Sequence, residues 1–171
     1  MDDNAPSRAT ATVGTQVTAN LALQIAHNLR FAHDWTELRI HYEGFSGSGS
    51  LPRPVISGLP PKRLYVHPDE QIELLEKQRK QGSTKPLELA PEREWVLPSQ
   101  LHEQWTLGRF AEVFDALDAI PSVTSDDRAT GHVTSHWRTE QPKRLLLATI
   151  DTDSTVVYYV LHNGIVKPRQ N

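Results

Sequence analysis

The sequence has no cysteine, which excludes a disulfide framework, a thiol nucleophile and every zinc site built on thiolates, and fits a reducing compartment. It also lacks any run approaching the ~20 apolar residues that a membrane span requires. Positive charge is not in excess: the formal net charge is -3 and the pI about 6.2, so the chain exerts no global attraction on phosphate. Contact with RNA would need a local patch or a more basic partner. The opening MDDNAPSRATATVG carries early acids and no apolar core, unlike a secretory or mitochondrial presequence. These absences lead us to expect a nuclear or cytosolic chain, or one held on an organelle surface by other proteins.

What is present describes a folded domain. The 171 residues are 37% hydrophobic and 23% charged, with 12 Pro and 9 Gly, so one core with substantial irregular connections is expected. Residues 1–14 are small and polar and read as a poorly ordered tail, leaving one domain over 15–171. Val17, Leu21, Ile25, Leu29 and Ala32, with Ala22 and Ala26 beside them, form one apolar stripe at helical spacing, and that helix should end near His33. The period then changes. In TELRIHYEG, Leu38, Ile40 and Tyr42 alternate with Arg39, His41 and Glu43, as in a half-exposed strand.

The segment FSGSGSLPRPVISGLPP, with its Ser-Gly run and four prolines, reads as a loop or insertion over about 45–61. RLYVH, Arg63 to His67, is a short strand candidate, and PDEQIELLEKQRKQ has helical Glu73–Lys77 and Glu76–Lys80 pairs. Those lie within a second insertion, about 68–92, that ends in a loop. EWVLP, Glu94 to Pro98, reads as a strand. Ser99 is the expected N-cap of the longest helix, with Leu101, Trp105, Phe110, Val113, Phe114 and Leu117 as its stripe and Gly108 inside it for close packing. A third polar insertion, about 121–142, precedes a terminal hairpin formed by KRLLLATI and VVYYVL. This order of elements predicts an α+β fold, a mixed and mainly antiparallel sheet flanked by helices.

Few side chains suggest chemistry. Among eight histidines, His132 and His136 stand with Glu140 at four-residue intervals, but Gly131 and the Thr-Ser content favour a loop and there is no HExxH pattern, so no metal is expected. GFSGS lacks the second glycine of a nucleophile elbow, and Gly47 and Gly49 precede prolines rather than a phosphate-binding helix. No cofactor is expected. Acid–base cleavage of RNA could use Lys143 with His132 or His136, as a self-sufficient homodimeric nuclease, although a lysine that opens a strand is ordinarily a solvated strand end. Asp151 and Asp153 sit at a predicted turn, where such acids commonly bond their own backbone; a functional role stays open beside that one. In the last strand Val156, Tyr158 and Val160 share one face and Val157, Tyr159 and Leu161 the other. A strand this apolar is either central in the sheet or an interface, including that of a dimeric module unconnected with RNA.

The run LLLATIDTDSTVVYYVLHNG, followed by Ile165, Val166 and Pro168, resembles the non-catalytic Sen-fifteen subunit family of the tRNA-splicing endonuclease. That family shows a Leu-Ala-Ile strand, an acidic Asp-Ser-Thr turn, a Val-Tyr-Tyr strand and a Gly before a closing proline. The resemblance implies the fold of the tRNA-intron endonuclease C-terminal domain. Catalytic members of that fold use Tyr, His and Lys for metal-independent cleavage; here only Lys143 stands in register, in K-R-L-L-L-A, which implies a catalytically silent, structural subunit of a heterotetramer. By the same resemblance Val156, Val157, Tyr158, Tyr159, Val160 and Leu161 look like a strand that pairs with the catalytic Sen-thirty-four subunit. Asp151 and Asp153 look like acids inserted into the other catalytic subunit, Sen two, with Sen fifty-four completing the complex and pre-tRNA reached through it. The implied location is the nucleus or the cytosolic face of the mitochondrial outer membrane.

Overall fold

A computed structural model describes residues 8–44, 50–82, 89–121 and 136–166. In chain order the elements are α1 (Arg8–Ala32), β1 (Thr36–Glu43), β2 (Ser50–Leu59), α2 (Pro68–Lys80), β3 (Glu94–Gln100), α3 (Leu107–Ala116), α4 (His136–Glu140), β4 (Arg144–Ile150) and β5 (Val156–His162). The strands form one sheet in the order β1-β2-β3-β4-β5. Only β3 and β4 run parallel; the other three pairings are antiparallel. The fold is α+β, as expected.

Each face of the sheet has its own core. On one face α1 buries Leu21, Ala22, Ile25 and Leu29 against Ile56, Val96, Leu146, Ala148 and Ile150. These residues come from alternate positions of β2, β3 and β4, as a period of two demands. On the other, α3 packs Val113, Phe114, Ala116 and Leu117 against Val55, Trp95, Leu97 and Leu145. The α1 stripe read from the sequence is buried at Leu21, Ile25 and Leu29 but not at its two ends, since Val17 and Ala32 are exposed, and the helix already begins at Arg8, upstream of the apolar periodicity. It stops as anticipated, where Asp34 turns left-handed at φ 56° and the Trp35 amide donates to Leu29 O at 3.0 Å.

Several local expectations are corrected. The proline-rich segment expected as a loop contains β2, an interior strand paired on both sides. Its prolines avoid the ladder: pairing with β3 begins only at Ile56, and the register with β1 jumps between His41↔Val55 and Glu43↔Ser50, so Pro52 and Pro54 stand where a missing N–H breaks no pair. Pro98 in β3 likewise lies past Val96, the last residue paired with β2. Gly58 of β2 allows a close approach, since a Cβ there would meet Leu38 Cδ2 at 2.6 Å and the Trp35 ring at 3.0 Å.

Arg63–His67 is not a strand and joins no ladder among the described residues. It forms a strap leading into α2, whose N-cap is His67, with Nδ1 accepting from the Asp69 amide at 3.2 Å. Ser99 is not an N-cap; it belongs to β3, and its buried hydroxyl accepts from Trp105 Nε1 at 2.8 Å and donates to Glu103 at 3.1 Å. Thr106 caps α3 instead, accepting from the Arg109 amide at 3.2 Å. The longest helix is α1, not α3. Gly108 lies in the first turn of α3, where a Cβ would meet only Thr106 Oγ1 at 3.9 Å, so it serves no close packing. His136–Glu140 is the short helix α4, whereas His132 lies outside the described residues.

Candidate partner-strand interface

At one edge of the sheet, β5 pairs only with β4 among the described residues, in unbroken register from Arg144↔His162 to Ile150↔Val156. Hydrogen bonds from Asn163 N to Lys143 O (2.8 Å) and from Asp151 N to Thr155 O (2.9 Å) fix the alternation of the ladder. Residues 157, 159 and 161 therefore turn their main-chain groups toward β4, while Val156, Tyr158, Val160 and His162 turn theirs to the free edge. The edge is a row of main-chain donors and acceptors set between apolar side chains.

Those side chains are incompletely covered. Val156 and Tyr158 rest on the α1 core, and Leu161 on the α3 core. Val157, Tyr159 and Val160 remain 42%, 52% and 41% exposed. Tyr158 anchors the strand: its hydroxyl donates to Asn28 Oδ1 at 2.7 Å, its ring meets the His33 edge at 5.2 Å, and burial pushes its pKa up to about 12. The opposite edge, β1, is different. It carries Glu37, Arg39 and Glu43, two register irregularities, and a left-handed Glu37 at φ 52° that pairs with Arg93. Charges and bulges of that kind protect an edge against further pairing, and β5 has neither between Val156 and Leu161.

The acidic turn joins β4 to β5. Asp151 Oδ1 accepts from the Thr152 amide at 2.6 Å, and Asp153 Oδ1 from the Thr155 amide at 2.8 Å, while Ser154 takes φ 69°. The Thr155 backbone bond holds the Asp153 carboxyl below its ordinary value, so it stays ionised. Both acids thus bond their own backbone, the turn chemistry anticipated for them. Asp153 is also fully exposed, and the His102 imidazole stands 4.0 Å from Asp151.

Lys143 is occupied. Its Nζ donates to Phe114 O at 2.9 Å and Leu117 O at 2.7 Å, closing the C-terminus of α3. His136 opens α4, and no group of three His, Asp or Glu able to hold a metal occurs among the described residues. Lys143 is therefore a helix-capping lysine here.

A polar network beneath the strap was not legible in advance. Arg144 at the head of β4 bonds Glu94 and, at 3.0 Å, Glu92; Arg138 of α4 reaches Glu94 at 3.0 Å; Arg63 joins Glu70 at 2.7 Å and Glu92 at 2.8 Å. Their side chains are buried and hold α2, α4 and the strap on the β3–β4 end of the sheet. Tyr65 lies between the Arg144 guanidinium, 5.2 Å away, and the His162 ring, 4.9 Å away. From the sequence only Lys143 reads as a solvated strand end, and Arg144, Glu92 and Glu94 have no assigned partner; the dense run of charges in PEREW is the local signal of mutual pairing.

Comparison with known proteins bears on this edge. Residues 24–171 match the family model described as Sen15 protein. The chain is 49% identical over 152 residues to the probable tRNA-splicing endonuclease subunit tsp-1 of Neurospora crassa, which covers 86% of this chain and 64% of that protein, so the chain spans less than two thirds of that relative's length. It is 25% identical over 146 residues to the probable tRNA-splicing endonuclease subunit sen15 of Schizosaccharomyces pombe, covering 84% of this chain and 78% of that protein. With a family match across most of its length, including the β4–β5 hairpin, the chain belongs to the Sen15 protein family.

Proposed function

We propose that the chain is a non-catalytic structural subunit of a heterotetrameric tRNA-splicing endonuclease, and that β5 is the strand through which it joins its nearest partner. The observation that carries this reading is the open edge of β5: main-chain groups at 156, 158, 160 and 162 unused by β4, apolar side chains on both faces, and no charge from Val156 to Leu161. An edge so composed favours addition of a strand from another chain, the main chain supplying affinity and the side chains register. Relatives named as tRNA-splicing endonuclease subunits supply the assembly.

Within that reading the partner strand belongs to the Sen-thirty-four subunit. The turn bearing Asp151 and Asp153 meets basic residues of Sen two in the opposite pair, and Sen fifty-four completes the complex. The exposed, ionised Asp153 suits such a contact, because rim charges set orientation and register more than affinity. The engagement of Lys143 with two α3 carbonyls supports the absence of a chemical role. Action on pre-tRNA then comes through the complex, located in the nucleus or on the cytosolic face of the mitochondrial outer membrane.

The test is co-expression with Sen thirty-four followed by size analysis. Val160→Pro removes a donor that faces the free edge and leaves the β4 ladder whole, so it should abolish the heterodimer while the chain stays folded. Tyr159→Asp, with a desolvated charge on the opposite face, should do the same. Heterodimer formation at wild-type levels by both variants would refute the reading.

A further inference from the structure

The β5 edge does not end at β5. Its C-terminal half adjoins the strap, and Leu64 and Tyr65 line a crevice too tight to hold a water molecule, together with Val160, Leu145 and Leu146 and the paired Glu94 and Arg144. On the face that α1 covers over Val156 and Tyr158, the strap takes over the neighbourhood of Val160. Two side chains of this cleft remain open to solvent, Leu64 at 44% and Val160 at 41%. Both are aliphatic.

The strap is held firmly for a segment without secondary structure. Arg63 is tied to Glu70 and Glu92 and also donates to Ala90 O at 3.2 Å; Tyr65 is packed between Arg144 and His162. Leu64, between these two anchored residues, cannot withdraw into the core. Nor does the network require a leucine at that position.

We propose that Leu64 and Val160 together form a seat for one aliphatic side chain of the strand that adds to β5, making the strap the end wall of the docking edge. This deepens, and rests on, the strand-pairing reading above. The occupant follows from the ladder. Val160 turns its main-chain groups outward, so a strand added antiparallel there forms a hydrogen-bonded pair at Val160, and the two facing side chains project from the same face of the extended sheet. That face is the one carrying Leu64. A charged or short polar side chain would leave both aliphatic groups half wet, whereas Val, Ile or Leu would complete their burial. The strap thereby selects among candidate edge strands and sets how far pairing extends toward His162.

The experiment uses the full chain and the Sen-thirty-four subunit, with affinity measured by titration and folding by thermal unfolding. Leu64→Ser should weaken binding about fivefold, as expected for losing the half of a leucine that is buried only in the complex, and Leu64→Asp should weaken it further; the half already buried in the free chain makes the fall in Tm modest, and binding is read at a temperature where both variants are fully folded. Val160→Pro is the control for pairing itself. If Val160→Pro binds like wild type, strand pairing is wrong and the seat falls with it. If Val160→Pro is defective while Leu64→Ser and Leu64→Asp both bind within twofold of wild type, pairing stands and the seat is overturned.

Discussion

Replacing Lys143 with Met separates a structural lysine from a chemical one. Its Nζ makes hydrogen bonds of 2.9 and 2.7 Å to the carbonyls of Phe114 and Leu117 at the end of α3. A hydrogen bond from a charged donor contributes roughly 1.5–3 kcal/mol when well shielded, and Lys143 is only half-buried, so the pair together is worth about 2 kcal/mol. The Met stem retains the apolar contacts, which confines the loss to the ammonium and to its favourable position at the negative helix end. For a domain of this size that corresponds to a fall in Tm of about 4–8 °C. Circular dichroism melting of the isolated chain reads the stability, and cleavage of intron-containing tRNA by the reconstituted complex reads the chemistry. The expected result is a lower Tm with full cleavage at temperatures where the variant is folded. An unchanged Tm would refute the capping role, and lost cleavage by a fully assembled complex would refute catalytic silence.

Three further outcomes are expected. Glu94→Gln should destabilise the chain by about 3–5 kcal/mol in denaturant titration, because it leaves the buried Arg138 and Arg144 short of their shared counter-charge; a shift below ~1 kcal/mol would show that the network is not a stabilising clasp. Burial and the nearby Arg144, Arg138 and His67 hold the His162 pKa below its ordinary 6.5, so the unfolded state binds more protons in the window just under that value and stability is lost as pH falls through it; His162→Gln should flatten the slope of Tm against pH there, and an unaltered slope would exclude this histidine as a source. Charge reversal at Asp151 and Asp153 together should leave the strand-paired dimer intact in size analysis and release it from the larger assembly, whereas a tetramer that persists at moderate salt would remove the acidic turn from the interface.

The elements that the sequence displayed clearly were those with a single dominant period. The α1 stripe, the alternation in β1, and the apolar runs of β3, β4 and β5 all appear where periodicity put them. β2 was hidden because proline and glycine are judged residue by residue, while their tolerance depends on which N–H faces a neighbour; Pro52 and Pro54 lie outside the paired register, and Gly58 yields room to Leu38 and Trp35. RLYVH has strand composition but spends its polar groups on Glu70, Glu92 and Ala90, so it lies over the sheet without entering it. Ser99 and Thr106 are both plausible caps in isolation. What decides between them is that Ser99 is consumed inside β3 by Trp105 and Glu103, a tertiary contact with no local signature. The hairpin and its two acids were legible in place, whereas the Leu64–Val160 neighbourhood joins residues nearly a hundred positions apart and could not be read at all.

The two sheet edges are composed unequally, as coverage of one of them by another chain would require. Strands buried by the fold lose charge because unpaired ions are costly inside, and β3 and β4 keep Glu94 and Arg144 only by pairing them. β5 has no such compulsion. With Val157, Tyr159 and Val160 about half exposed, threonine or lysine there would retain the strand without disturbing either core, and would guard the edge against unwanted pairing. β1 takes that course, with Glu37, Arg39, Glu43 and two breaks in register. A sheet open at both edges would add strands without limit, whereas one open and one closed edge stops at a single addition. That asymmetry is what a discrete subunit pair requires, and it makes a definite demand: a lysine placed at Tyr159 should leave the chain monomeric and folded, because it gives β5 the protection that β1 already has.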